Sequence, residues 1–251
     1  MAPTLPLVGR AEDLAHLDGA LSLRKSLLLV GPAGSGKTRL LQETVKAHDE
    51  VLYIPWGPTL HSVLAAVAKA LVVFRHGEFL RRGGSGVRRD GWVEAQTSIH
   101  LKGLLWAALE AAPVPIILDG VSSAGFPTYR FFQRLYHVRG MALIAAARDT
   151  AALGVLSRLF WDPAATMNLA GLNDREAALL FEAAADSYDL RNADLTDFRK
   201  RVLEAARGNP GQIVDMCRLA AEPQYRSGRH IKFAPLRIDS MARFLGPAQS
   251  N

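Results

Sequence analysis

Residues 31–38 have the sequence GPAGSGKT, the most informative motif of the chain. It fits the pattern GxxxxGK[ST] at every specified position, follows the apolar run SLLLV at 26–30 and opens a helical pattern at 37–47. A glycine-rich loop between a strand and a helix can wrap its backbone around phosphate groups, and the helix N-terminus adds partial positive charge. The stretch therefore predicts a phosphate-binding loop at the end of a buried strand.

The loop and one distant aspartate predict a nucleoside phosphate and Mg²⁺ as cofactors. Lys37 is expected to reach the β- and γ-phosphates, and the hydroxyl of Thr38 is expected to bind Mg²⁺. The run VPIIL at 114–118 ends at Asp119, as expected for a strand that presents a second metal-supporting group. The predicted phosphate contacts are Gly31, Pro32, Ala33, Gly34, Ser35, Gly36, Lys37, Thr38 and Arg39.

Short apolar runs alternate with helical patterns as far as about residue 170. The runs lie at 26–30, 51–54, 114–118, 141–146 and 166–169, and the helical patterns at 37–47, 61–74, 94–111, 128–137 and 150–159. Continuous rather than alternating apolarity is typical of strands that are covered on both faces of a sheet. The pattern predicts a doubly wound α/β domain with a parallel five-stranded sheet.

The strand signal stops after residue 170. Amphipathic helical patterns follow at 173–187, 195–207 and 211–221. We therefore expect an α/β nucleotide-binding domain at 1–170, an all-helical lid at 171–222 and a basic, apolar tail at 223–251. The apolar residues of the tail favour packing on the lid or docking on a partner protein over nucleic-acid stacking.

The positive charge of the chain is concentrated in two segments. The net charge is +6, and residues 75–89 contain five arginines and one glutamate, while 223–251 contain five basic residues and one aspartate. The rest of the chain therefore carries −2. Arginines beside the Gly-Ser stretch at 83–86 suit contact with a DNA backbone, and a solvated loop is the alternative. The candidate nucleic-acid contacts are Arg81, Arg82, Arg88 and Arg89.

Composition excludes several classes of protein. Hydrophobic residues make up 49% of the chain, which excludes intrinsic disorder. The lone Cys217 cannot form an internal disulfide, which favours a reducing compartment. The N-terminus lacks a signal-peptide pattern, and no apolar run approaches the roughly 20 residues of a membrane span. We expect a soluble, cytoplasmic protein with no membrane contact.

Taken together, the motifs resemble those of the AAA+ and STAND branches of the P-loop NTPases, over roughly residues 7–221. Asp119 matches their Walker B aspartate. LVGR at 7–10 resembles the element that these families place before the phosphate loop, where it contacts adenine, so nucleotide contacts are implied for Val8, Gly9 and Arg10. GNP at 208–210 is similar to the STAND GxP motif, which implies that Pro210 lies near the nucleotide.

Two arginines extend the resemblance. Arg148 resembles the sensor arginine that follows the fourth strand, although alanines stand where STAND proteins have Thr and Ser. Arg158, in SRLF at 157–160, resembles the AAA+ arginine that completes the site of a neighbouring subunit, which implies a homo-oligomer. Ordinary surface arginines are the alternative at both positions. Gly211 stands where AAA+ proteins have a second sensor arginine.

One departure from these families affects catalysis. They usually follow the Walker B aspartate with an acidic residue that activates water, whereas Gly120 occupies that position here. Glycine cannot act as a general base. Slow hydrolysis, a double role for Asp119 and substitution by Glu94 all remain open.

The sequence thus predicts a nucleotide-switched ATPase of the AAA+/STAND type, with ATP·Mg²⁺ between the α/β domain and the lid. Lys37, Asp119, Arg148 and Arg158 are its candidate catalytic residues. Three alternatives remain: an ATP-dependent DNA-binding helper of the transposition or replication type, a signalling scaffold and a small-substrate kinase. The elements at 7–10 and 208–210 argue against the kinase.

Overall fold

A computed structural model describes residues 5–245 and contains one five-stranded parallel sheet. Its strands are β1 (Leu27–Val30), β2 (Leu52–Pro55), β3 (Ile116–Asp119), β4 (Leu143–Ala147) and β5 (Thr166–Asn168), in the spatial order β2-β3-β4-β1-β5. β1 lies between β4 and β5, so that Leu28 pairs with Ala145 and Thr166. The five predicted strands are confirmed, with ends shifted by one or two residues.

The helices around the sheet follow the predicted α/β alternation. They are α1 (Ala11–Ser22), α2 (Lys37–Ala47), α3 (Leu60–Val73), α4 (Gly77–Gly83), α5 (Trp92–Ala95), α6 (Ser98–Ala111) and α7 (Phe126–Tyr136). Their apolar faces bury residues such as Leu64, Leu105 and Phe131 in one core with strand residues such as Leu28 and Ile116. Continuous burial of β1, β3 and β4 explains why their sequences are apolar at nearly every position.

Two predicted helices are wrong in detail. The pattern at 94–111 divides into α5 and α6, because Gln96 is extended and the Thr97 side chain caps the second helix. Residues 150–159 form 3₁₀ turns at Ala151–Leu153 and Val155–Leu159 rather than an α-helix. Gly154 separates these turns with a φ of +58°, and a Cβ there would approach the Ala124 carbonyl oxygen to 2.8 Å.

The basic segment 75–89 is not the flexible loop that its glycines suggest. It contains α4, whose first turn is capped by the His76 ring. That ring accepts from the Phe79 amide at 3.2 Å and donates to the Ala112 carbonyl at 2.8 Å. Phe79 and Val87 are buried in the core, so apolar anchors hold the segment while its arginines remain outside.

The C-terminal part of the described chain is mainly helical. It contains α8 (Asp174–Ser187), α9 (Leu195–Ala206), α10 (Pro210–Ala220), a hairpin of β6 (Arg226–Ser227) and β7 (His230–Ile231), and α11 (Phe233–Leu245). Asn173 and Glu176 form a capping box at the start of α8, while Asn209 caps α10 immediately before Pro210. Leu236 of α11 lies in the same core as Phe181 and Ile213. Tyr225 and Ile231 belong to this core as well, so three buried side chains anchor the segment after residue 222 on the helices.

The described chain divides into two compact units. The sheet unit comprises 13–31 and 37–169, and the helical unit comprises 5–12, 32–36 and 170–245. Residues 32–36 of the glycine-rich loop thus group with the helical unit. Across residues 5–245, no helix combines the length and apolarity that a membrane crossing requires. The last six residues of the predicted tail lie outside the described residues.

Candidate nucleotide-binding site

The sheet unit brings three charged side chains near one another after β1, β3 and β4. Lys37 begins α2, and its Nζ donates to the Gly31 carbonyl at 2.6 Å. Burial lowers the pKa of Lys37; the negative charge of Asp119 opposes this shift, and the positive charge of Arg148 adds to it. These three side chains therefore interact electrostatically. They lie near one another because β1, β3 and β4 are parallel, so that the residues after their carboxyl ends meet at one edge of the sheet.

Asp119 has a partner that the sequence did not reveal. Asp119 is 9% exposed as a residue, and Tyr53 Oη donates to its Oδ2 at 2.6 Å. Tyr53 lies on β2, which pairs directly with β3. Burial, followed by this hydrogen bond, raises the pKa of Tyr53, so the hydroxyl remains a donor. The only sign of this contact in the sequence is the hydroxyl of Tyr53 within the apolar run at 51–54. Its hydrogen-bond partner could not be predicted, because it depends on the order of the strands in the sheet.

The position after Asp119 has no acidic side chain but has space for one. Gly120 has a φ of +75°, and no heavy atom beyond its own and those of its two chain neighbours lies within 4 Å of the place that a Cβ would occupy. Glu94, the alternative base, forms an ion pair with Lys69 of α3, and the hydrogen bond from Lys69 lowers the pKa of Glu94. This pairing engages the carboxylate and reduces its basicity, which makes Glu94 a poor substitute.

In the helical unit, three successive carbonyls of the glycine-rich loop accept hydrogen bonds. Asn209 Nδ2 donates to Ala33 O at 2.9 Å, and the Gly211 amide donates to Gly34 O at 2.8 Å. Arg10 Nη2 donates to Ser35 O at 3.1 Å and to Ala170 O at 2.8 Å. The buried guanidinium of Arg10 therefore stabilises the loop. The resemblance implied a contact with adenine for Arg10 and did not indicate this structural role.

These bonds orient the loop backbone. In a trans peptide the C=O and N–H point in opposite directions, so each bound carbonyl directs the N–H of its own peptide away from the group that donates to it. The Ser35 amide also closes a turn onto Pro32 O at 3.2 Å. Gly34 and Gly36 have φ values of +79° and +95°, which only glycine adopts without strain. Such a backbone has the polarity of an anion-binding nest.

Close approach explains two further glycines. A Cβ at Gly211 would lie 2.7 Å from Gly34 Cα, so the position where AAA+ proteins have a sensor arginine admits no side chain. Gly9 has a φ of +67°, and a Cβ there would overlap the Glu176 carboxylate. Pro210 Cγ lies 3.8 Å from the Cβ position of Gly36, which places Pro210 beside the loop.

The remaining predicted residues have other surroundings. Val8 packs against the apolar core of the helical unit. Thr38 and Arg158 are exposed, and the Arg158 guanidinium lies over the Phe126 ring at 5.5 Å. The predicted role of Arg158 in a neighbouring subunit's site stays a prediction.

The four candidate nucleic-acid arginines differ in their pairing. Glu78 accepts from Arg81 Nη2 at 2.6 Å and from Arg82 Nε at 3.2 Å. Arg88 and Arg89 are exposed, and within residues 5–245 neither forms an ion pair. Of these four arginines, Arg81 and Arg82 share one carboxylate, and Arg88 and Arg89 have no paired carboxylate in the described chain.

Comparison with known proteins identifies the fold. No protein-family model and no curated protein sequence matches the chain. Cdc6p from Pyrobaculum aerophilum is similar in structure, with 17% identity over 88% of this chain and 63% of that one and a TM-score of 0.59. The Aeropyrum pernix ORC1 protein, solved in complex with DNA, has 16% identity over 96% and 66% and a TM-score of 0.60.

A third similar structure is a STAND protein with a tetratricopeptide repeat sensor from Pyrococcus horikoshii. It has 18% identity, covers 95% of this chain and 33% of that one, and has a TM-score of 0.53. This chain therefore spans two thirds or less of the length of these three proteins. It has the fold of the P-loop NTPases of the AAA+ class, which confirms the predicted fold and resemblance.

Proposed function

We propose that this chain, with its AAA+ P-loop fold, is a nucleotide-switched ATPase that binds ATP and Mg²⁺ at residues 31–38. The observation that carries the proposal is the charge arrangement in the sheet unit. Lys37 is held against Gly31, and its charge interacts with Asp119, the buried carboxylate at the end of β3. A phosphate chain needs a fixed cation and oriented amides, while its metal ion needs carboxylate oxygen.

The residues present fit a nucleotide with its metal ion. Thr38 and Asp119 supply hydroxyl and carboxylate oxygens, the ligands that Mg²⁺ prefers, and the bound ion would neutralise charge on the β- and γ-phosphates. Lys37 and the loop amides would bind the phosphates. We propose that Arg148, whose charge interacts with Lys37, senses the γ-phosphate. Val8, Gly9, Arg10 and Pro210 complete the proposed nucleotide contacts, and Arg158 would act in a second copy of the chain.

We further propose that turnover is slow. Gly120 removes the usual base, and Glu94 is paired with Lys69. The chain would therefore bind ATP without hydrolysing it rapidly. The bound γ-phosphate would act mainly by holding one conformation of the protein, as in proteins that order a segment around a bound nucleotide. We also propose the division into an α/β domain at 1–170, a lid at 171–222 and a tail at 223–251.

An Asp119→Asn substitution tests the metal part of the proposal. Asparagine keeps the volume and an acceptor for Tyr53, but loses the charge that attracts Mg²⁺. We expect ATP to bind the parent more tightly with Mg²⁺ than with EDTA, and we expect the substitution to reduce this advantage by about tenfold. Isothermal titration calorimetry with ATP measures both values.

The matched control is Asp149→Asn, an exposed aspartate in the same unit. It should leave the effect of Mg²⁺ unchanged. If Asp119→Asn and Asp149→Asn behave alike, Asp119 does not support the metal ion. If the parent binds no ATP under either condition, the proposed function is wrong.

A second candidate function, ATP-dependent DNA binding, is favoured by the unneutralised arginines at 88–89. An ORC1 protein of similar fold has been solved with DNA, which supports testing the same ligand here. Contacts to a DNA backbone release counterions, so affinity falls with salt in proportion to the number of phosphates contacted. We expect Arg88→Glu/Arg89→Glu to reduce the slope of log K against log salt by about 2.

Fluorescence anisotropy of a labelled duplex at several salt concentrations measures this slope. The control is Arg199→Glu/Arg201→Glu, which makes the same change in net charge at exposed arginines already paired with Glu182 and Asp197. Equal loss of affinity in both variants would indicate only a general charge effect. No loss in either would remove DNA binding through 75–89 from consideration.

A further inference from the structure

The C-terminal helix α11 has one inner face that continues to the glycine-rich loop. Leu236, Ser240 and Phe244 are spaced four residues apart and therefore lie on the same side of the helix. Leu236 and Ser240 are buried, and Phe244 is partly buried. Ile238 and Met241, on other sides of α11, are exposed. Burial thus follows one row of side chains along the helix to Phe244.

Phe244 packs directly on the loop. An ideal Cβ at Gly34 would lie 2.6 Å from Phe244 Cε1 and 2.7 Å from Asn209 Oδ1, so the ring and the amide meet the same side of Gly34. Asn209 Nδ2 also holds the Ala33 carbonyl. Phe244 therefore meets Gly34 beside the side chain that binds the Ala33 carbonyl.

Two polar contacts hold α11 in this position. Arg243 Nη1 donates to Asp215 Oδ1 at 3.1 Å, and the same oxygen accepts from Arg218 Nη2 at 2.9 Å. Tyr225 Oη forms a short hydrogen bond with Asp239 Oδ2. Because Arg243 precedes Phe244 directly, the bond to Asp215 on α10 limits the movement of the ring away from the loop.

We propose that Phe244 is a positioning residue for the phosphate loop and that α11 therefore senses nucleotide. This rests on the proposed function, ATP binding at 31–38. The ring packs against Gly34 beside Asn209, which binds the Ala33 carbonyl, and in this proposal docking of Phe244 and binding of phosphate favour the same backbone conformation. Coupling between two sites is reciprocal: loss of the ring weakens ATP binding, and bound ATP holds the end of α11 in place.

The first measurement is ATP affinity in Mg²⁺ by titration calorimetry. Phe244→Ala weakens ATP binding by about fivefold or more, a typical coupling between sites. Phe244→Tyr, which keeps the ring, restores most of the affinity. Ile238→Ala, on an exposed position of the same helix, changes nothing. Urea unfolding measures the stability of each variant and shows whether weaker ATP binding arises in a folded protein or from a loss of folded protein.

The second measurement uses the parent alone and needs no variant to fold. Arg237 and Arg243 are exposed trypsin sites on α11, and ATP·Mg²⁺ slows cleavage there but leaves cleavage after exposed Arg191 unchanged. Equal affinity in Phe244→Ala and Ile238→Ala, tighter ATP binding in Phe244→Ala, or trypsin cleavage that ATP does not slow would overturn the inference alone. A parent that binds no ATP would overturn the inference together with the proposed function.

Discussion

Lys37→Ala is expected to weaken ATP binding by about 100-fold, because it removes the charged donor nearest the proposed phosphates. Lys37 is half buried, and its Nζ already donates to the loop at Gly31. A buried cation interacts more strongly with a polyanion than an exposed one, since less water screens its charge. Its loss also leaves the charges of Asp119 and bound phosphate without their shared counter-ion.

The control for Lys37→Ala is Lys46→Ala, at the other end of the same helix α2. Lys46 is 67% exposed and pairs with Glu43 at the surface, so its removal should change ATP affinity by less than about twofold and leave stability nearly unchanged. Calorimetric titration with ATP and urea unfolding distinguish the two variants. Undiminished ATP affinity in the Lys37 variant, with the fold intact, would show that nucleotide does not bind at this loop.

Gly120→Glu is expected to increase ATP hydrolysis by about 100-fold, within the usual range for a positioned general base. The Cβ of the new side chain would enter open space, since no heavy atom beyond Gly120 and its two chain neighbours lies within 4 Å of it. The gain has a structural cost. With φ at +75°, any side chain at this position destabilises the fold by about 1–2 kcal/mol.

Gly120→Gln separates these two effects. Glutamine has the same shape and the same backbone strain as glutamate but cannot accept a proton as a base. Phosphate release at saturating ATP should therefore rise only in the glutamate variant, while both variants should unfold at similarly lower urea concentrations. Rapid turnover in the parent would instead place the base elsewhere and contradict the proposal of slow hydrolysis.

Much of the fold could be predicted because it depends on local patterns. The apolar runs predicted the five strands, and GPAGSGKT predicted the turn from β1 to α2 with exact bounds for that helix. The predicted helix at 150–159 is wrong because Gly154 interrupts it. The glycine-rich segment at 75–89 is more ordered than its sequence suggests because the buried Phe79 holds it in the core. Both depend on contacts with residues that are distant in sequence.

The candidate site was predictable only in part. The sequence itself determined the loop, Lys37 and the strand that ends at Asp119, because these follow from spacing along the chain. The hydrogen bond from Tyr53 to Asp119 could be found only in the folded protein, since it requires β2 and β3 to be neighbours. The tertiary structure alone also revealed that Arg10, Asn209 and Phe244 support the loop, because packing, not spacing, brings these distant parts of the chain to residues 33–35.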